Sequence, residues 1–291
     1  MTPTTLAPTR IGPTTFGWGE RTFVMGILNV TPDSFSGDGL IGSGDPVAAA
    51  LDQARRMVDE GADLLDIGGE STRPGHAPVE AAEEIGRVIP VIDAIHEALP
   101  DVPLSIDTTK VVVAEAALAA GASLLNDVWG VGPDPALAEL AARAGVPLIV
   151  MHNRREARYT DVLTEVVDDL RAALERAERL GVPPDQLIVD PGIGFGKTAD
   201  HNVTLLRHLD ALTALRRPIL LGTSRKSTIG RILDLPADQR LEGTLATTAL
   251  GIASGVDIVR VHDVRANIRA ARVADAIVRG RWRSEPEGGR G

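Results

Sequence analysis

Asp107, Asn126, Asp190, Lys226, Arg260 and His262 stand at, or within a few residues of, the ends of apolar runs. Carboxylates and a carboxamide at fixed separations can read an edge of hydrogen-bond donors and acceptors on a small ligand. Asn29, Arg73, Arg260 and His262 are the amide and basic groups available to an anion. Arg grips phosphate oxygens in pairs. Each residue type also has an ordinary use. An Asp after a strand often caps the next helix, a Lys is usually solvated, and an isolated strand-end His often sits in a core. Phe195, between glycines in GIGFGK, is either a core ring or an aromatic face offered to a ligand.

Other chemistries are excluded. The chain has no Cys, which removes thiolate metal sites, disulfides and a Cys nucleophile. No HExxH helix and no Ser-His-Asp pattern occur. The formal net charge of −10 argues against nucleic acid as a partner, yet leaves room for a small anion held by a few local cations. Only Lys110, Lys197 and Lys226 are Lys, against 27 Arg. In so Arg-rich a chain, a retained Lys suggests a place that needs a compact ammonium. The opening MTPTTLAPTR has no signal-peptide core and no run is long enough for a membrane span, so a cytoplasmic protein without membrane partners is expected.

These residues need a scaffold that brings distant segments together. Eight strand-like runs are read: Phe23–Val30, Leu64–Gly68, Pro103–Asp107, Leu124–Val128, Pro147–His152, Leu187–Asp190, Pro218–Thr223 and Ile258–His262. Amphipathic helical stretches alternate with them, and the last is Val264–Arg279. The strands lack clean period-2 alternation, as strands covered on both faces do. Eight such units predict an α/β protein, a single (β/α)8 TIM barrel. Gly61, Gly121, Gly145, Gly181 and Gly255 punctuate helix ends. Thr14–Val24 reads as a hairpin that would plug the barrel bottom. The domain reading is an N-terminal tail over 1–13, the barrel over 14–282 and a tail over 283–291.

Barrel enzymes work at the carboxyl ends of their strands, and there this sequence carries NVTPDSFSGDG, GGESTRPG, SIDT, NDV, DPGIGFGK, GTSRKS and RVHD. In this order they resemble the motif series of the dihydropteroate synthase family, over roughly residues 23–280. The resemblance implies condensation of a 7,8-dihydropterin-6-ylmethyl diphosphate with p-aminobenzoate, releasing pyrophosphate, with Mg2+ as cofactor and a homodimer as the assembly. It places Asp107, Asn126, Asp190 and Lys226 on the pterin, with Asp107, Asp190 and Lys226 catalytic. It places Asn29 on Mg2+, and Asn29, Arg73, Arg260 and His262 on the pyrophosphate. Thr72, Pro74, Phe195 and Ser224 resemble the p-aminobenzoate pocket.

The implied chemistry is dissociative: pyrophosphate leaves, the two Asp stabilise a cation at the exocyclic carbon, and the arylamine attacks. The long Thr31–Asp45 loop and the GGESTRPG loop would close over it. Two departures stand out. Ser36-Gly37-Asp38-Gly39 shifts an acid by one position, and the segment after His152, NRREARYTDV, is short and basic. Two alternatives share the pterin-reading residues: a pterin-binding paralogue without turnover, and a methyltetrahydrofolate-binding methyltransferase. The methyltransferases lack the Ser-Arg-Lys and Arg-Val-His anion set.

Overall fold

A computed structural model describes residues 6–31, 45–70, 79–132 and 134–280. After a short hairpin, β1 (Thr9–Ile11) and β2 (Thr14–Phe16), strands alternate with helices. The parallel strands are β3 (Phe23–Asn29), β4 (Leu64–Gly68), β5 (Leu104–Asp107), β6 (Leu124–Asp127), β7 (Leu148–Met151), β8 (Leu187–Asp190), β9 (Leu220–Leu221) and β10 (Ile258–Val261). Between and after them lie α1 (Pro46–Asp59), α2 (Ala81–Ala98), α3 (Val111–Ala119), α4 (Ala136–Ala144), α5 (Val162–Arg179), α6 (Ala199–Arg207), α7 (Ser227–Leu233), α8 (Leu241–Ala253) and α9 (Val264–Arg279). The sheet order is β8-β7-β6-β5-β4-β3-β10-β9. A parallel bridge between Val189 and Ile219 joins the two edge strands, so the sheet closes into the expected barrel.

The helices form for local reasons. In α5, Val162, Val166, Leu170, Ala173, Leu174 and Ala177 recur at helical spacing and are buried. Asp161 caps its start by accepting from the N–H groups of Leu163 and Thr164. The five punctuating glycines all take positive φ, as their place at helix ends requires.

The strands do alternate, but between two buried environments. Leu65, Ile67, Leu104, Ile106, Leu125, Val189, Val259 and Val261 join the apolar layer under the helices. Leu64, Leu124, Ile149, Ile188, Leu220 and Ile258 fill the barrel floor. One pleat further along the same inward face stand Asp66, Asn126, Asp190 and Arg260. The interior is therefore apolar below and polar towards the carboxyl end.

The plug exists but lies earlier than expected. The strands pair Thr9 with Phe16 and Ile11 with Thr14, around Gly12-Pro13, where Gly12 has φ 55°. Residues 9–13, read from sequence as part of a tail, thus belong to the hairpin. The expected Thr14–Val24 hairpin is instead its second strand, a Gly-containing turn and the start of β3. Ile11, Phe16 and Trp18 pack onto the barrel floor with Phe23 and Met25. The Phe16 and Phe23 rings meet edge to face at 4.7 Å. Truncating a buried ring of this kind costs about 3–5 kcal/mol.

Candidate active site

Arg260, from β10, points into the upper barrel. Its Nε donates to Asp66 Oδ2 at 2.6 Å and its Nη2 to Asp107 Oδ2 at 2.8 Å. Asn126 Nδ2 donates to the same Asp66 oxygen at 3.2 Å. The other oxygens, Asp66 Oδ1 and Asp107 Oδ1, are buried with no hydrogen-bond partner among the described residues. Buried acceptors are normally satisfied, so these describe a place for a ligand that donates.

Asp190 closes β8. Its Oδ1 accepts from the Gly192 N–H at 2.7 Å, fixing the turn of DPGIGFGK. This is a turn contact and not a helix cap. Its Oδ2, Lys226 Nζ and the Arg260 side chain surround Gly222, each 3.9 Å from where a Cβ would stand there. A side chain at Gly222 would intrude on the polar mouth. Lys226 Nζ donates to the Ile193 carbonyl and lies 4.4 Å from the centre of the Phe195 ring.

Ser224 and His262 are joined, Ser224 Oγ to His262 Nδ1 at 2.9 Å. The anion and p-aminobenzoate assignments drawn from sequence therefore meet at one contact. The intervening Arg225 has φ 57°, a conformation costly for a residue with a side chain. Its guanidinium grips Asp263 at 3.1 and 2.7 Å, and Arg240 donates to its carbonyl. Arg225 is thus a fastening that presents Ser224 and Lys226. Asn29 ends β3 beside Gly68 at the same mouth. Thr72, Arg73 and Pro74, and the first loop with Asp38, lie outside the described residues.

Electrostatics set the mouth apart. Burial pushes Asp107 up to about 7, against the pull of Arg260 and with Asp66 adding to the rise. Asp190 is also raised by burial, opposed by Lys226 and the Gly192 N–H. Burial draws Lys226 down to about 8, opposed by Asp190. Burial disfavours the Arg260 charge too, yet Asp66 and Asp107 more than offset it and hold the guanidinium protonated.

Sequence reasoning missed Asp66, which sits inside LLDIG and not after it; an acid in an otherwise apolar strand was the available signal. It also missed Asn202 and His152. Asn202 Oδ1 accepts from the Gly194 N–H at 2.9 Å, and its Nδ2 donates to Thr228 of α7. His152 lies under the DPGIGFGK turn, bonded to Lys197.

Residues 25–262 match the family described as pterin binding enzyme. The dihydropteroate synthase of Bacillus subtilis is 50% identical over 266 residues, covering 91% of this chain and 92% of that protein. The dihydropteroate synthase of Clostridium beijerinckii is 49% identical over 271 residues, covering 93% and 99%. A crystal structure of the Clostridium difficile dihydropteroate synthase, determined in the presence of pteroic acid, superposes with a TM-score of 0.86 at 49% identity, covering 91% of this chain and 99% of that one. Relatedness of this extent settles the lineage. The chain belongs to the dihydropteroate synthase family of pterin-binding enzymes.

Proposed function

We propose that the protein joins 7,8-dihydropterin-6-ylmethyl diphosphate to p-aminobenzoate, giving dihydropteroate and pyrophosphate. The observation that carries this is the buried Asp107 Oδ1, which has no partner among the described residues and stands beside Asn126 on the neighbouring strand. It suits the donating edge of a pterin. Lys226 supplies a compact positive group beside that pocket. His262 and Arg260 supply the neighbouring anion side, where the diphosphate belongs, and Ser224, bonded to His262, stands on the p-aminobenzoate side of it. The C–O bond to the diphosphate breaks, Asp107 and Asp190 stabilise the positive carbon, a C–N bond forms to the arylamine, and the amine releases a proton. The Phe195 ring offers a face to the arylamine.

Asn29 offers one neutral oxygen at the mouth, which fits Mg2+ held mostly by water and diphosphate oxygens. When bound, Mg2+ neutralises charge on the departing group. No helix among the described residues is long and apolar enough to cross a membrane; a cytoplasmic setting belongs to the same reading. So does a homodimer. Ile232, Leu250, Val273 and Ile277, on α7, α8 and α9, are each more than 60% exposed, an apolar surface a second copy would cover. Sedimentation of the purified protein tests the dimer.

The deciding experiment incubates the protein with both substrates and Mg2+ and follows pyrophosphate and dihydropteroate. Release of both in equal amounts is expected. Pterin binding without release would identify a silent paralogue.

A further inference from the structure

Lys197, the last residue of DPGIGFGK, does not reach the mouth. Its ammonium lies beneath the turn, donating to the carbonyls of Gly192 and Phe195 at 3.0 Å each and of His152 at 3.3 Å. It also meets His152 Nδ1 at 2.8 Å. Burial pulls His152 down to about 4, so the ring is neutral and its Nδ1 is a fourth acceptor sharing the three hydrogens of the ammonium with the carbonyls. Its other nitrogen, Nε2, faces Asp169 at 3.1 Å, and Arg154 donates to the same carboxylate. The turn is moulded around this arrangement. Gly192, Gly194 and Gly196 all have positive φ. A Cβ at Gly192 would stand 1.9 Å from the His152 carbonyl oxygen, and one at Gly196 2.1 Å from that of Arg154.

The Phe195 ring at the mouth is carried by that turn. We propose that Lys197 is a positioning residue for the arylamine half of the site, its ammonium fastening the Gly192–Phe195 turn from below to set the Phe195 ring. The role rests on the proposed reaction, in which that ring faces the arylamine. A neutral side chain would take this donor from the Phe195 and His152 carbonyls in a part-buried place, while the Gly192 carbonyl keeps only the Phe195 N–H. An Arg would not fit the same space, because its planar fork is larger and aimed differently.

The test compares wild type, Lys197→Met and Phe195→Ala with the double variant. For Lys197→Met, KM for p-aminobenzoate should rise about tenfold or more, as misplacement of a contacting group does. The dissociation constant of a pterin lacking diphosphate should change far less. Adding Lys197→Met to Phe195→Ala should have little further effect on that KM, since the Lys acts through the ring. Amide exchange at Gly194 and Phe195 should quicken in Lys197→Met, a readout that needs no turnover and so stands even if the proposed reaction fails. Should Lys197→Met not fold, Lys197→Cys takes its place. The chain has no other thiol, so 2-bromoethylamine applied to the unfolded variant installs an ammonium at this position alone. Refolding should then restore the slow exchange, while carbamidomethylation should not. Unchanged exchange at Gly194 and Phe195 in a folded variant, or additive effects of the two substitutions, would overturn the proposal.

Discussion

Asn126 donates its carboxamide hydrogen to Asp66 Oδ2 at 3.2 Å, deep in the upper barrel. The bond ties down the donor end of the amide and leaves its oxygen for a ligand. Asp66 thereby orients Asn126 and Arg260, while its own Oδ1 has no partner among the described residues. Asp66→Asn keeps one acceptor oxygen but removes the charge that holds Arg260, and should loosen both. We expect pterin affinity to fall about tenfold, the scale of one buried charged hydrogen bond, with the fold retained. Calorimetric titration of the variant with a pterin at an unchanged dissociation constant would refute this.

Arg260→Ala should do two things at once. Pyrophosphate affinity should drop by roughly 10- to 100-fold on losing a charged contact. Stability should fall by about 3 kcal/mol, because Asp66 and Asp107 are left buried without their cation. Titration with Mg-pyrophosphate and urea unfolding measure the two effects. Intact affinity would remove Arg260 from the anion site.

Asp107 gives a pH dependence whose sign is fixed by its shift. Its ordinary value is 3.8, and in the folded protein it is about 7. Between these values the folded protein keeps a proton that the unfolded chain has released. The contribution of this group to stability is therefore full below about 4 and is lost as pH rises through about 7. Asp107→Asn cannot titrate. Its melting temperature relative to wild type should be higher at pH 8 than at pH 5, while activity is lost. An offset that stays constant with pH would show that Asp107 titrates normally.

Binding should be ordered. In the proposed reaction Phe195 supplies one side of the p-aminobenzoate pocket. The sequence reading assigns its other side to Thr72 and Pro74, which lie outside the described residues and are expected to be brought in by pterin and Mg-pyrophosphate. Calorimetry should detect p-aminobenzoate binding only with both present. Deleting Gly37–Gly44 should abolish product while pterin binding survives. Tight p-aminobenzoate binding to the bare protein would show a complete pocket and refute the order.

The barrel was legible because eight apolar runs, each followed by a helical stretch, allow few other arrangements. Asp107, Asn126, Asp190, Lys226, Arg260 and His262 could be singled out in the sequence because residues at or just after strand ends gather at one end of a barrel, where the structure has them. Asp66 was hidden by the same rule. It lies one pleat inside the strand, where attention to the loops does not reach. The Arg225 clamp on Asp263 was hidden because an ion pair 38 residues apart leaves no periodic trace. Lys197 left one trace, a Lys in a chain that otherwise uses Arg. The hairpin was misplaced because Gly12-Pro13 and Gly17–Gly19 both read as turns, and only packing against the barrel floor separates them.

The hairpin also fixes the polarity of the molecule for anyone attaching it to something else. It seals the floor, and α9 returns to that same end, where Thr22 bonds to Asp275 and Arg279 reaches the Val256 carbonyl. The chain therefore enters and leaves its described core on the side away from the chemistry. A tether, a fused neighbour or a solid support joined beyond Leu6 or Gly280 would hold the barrel by its base and leave the opening facing outward.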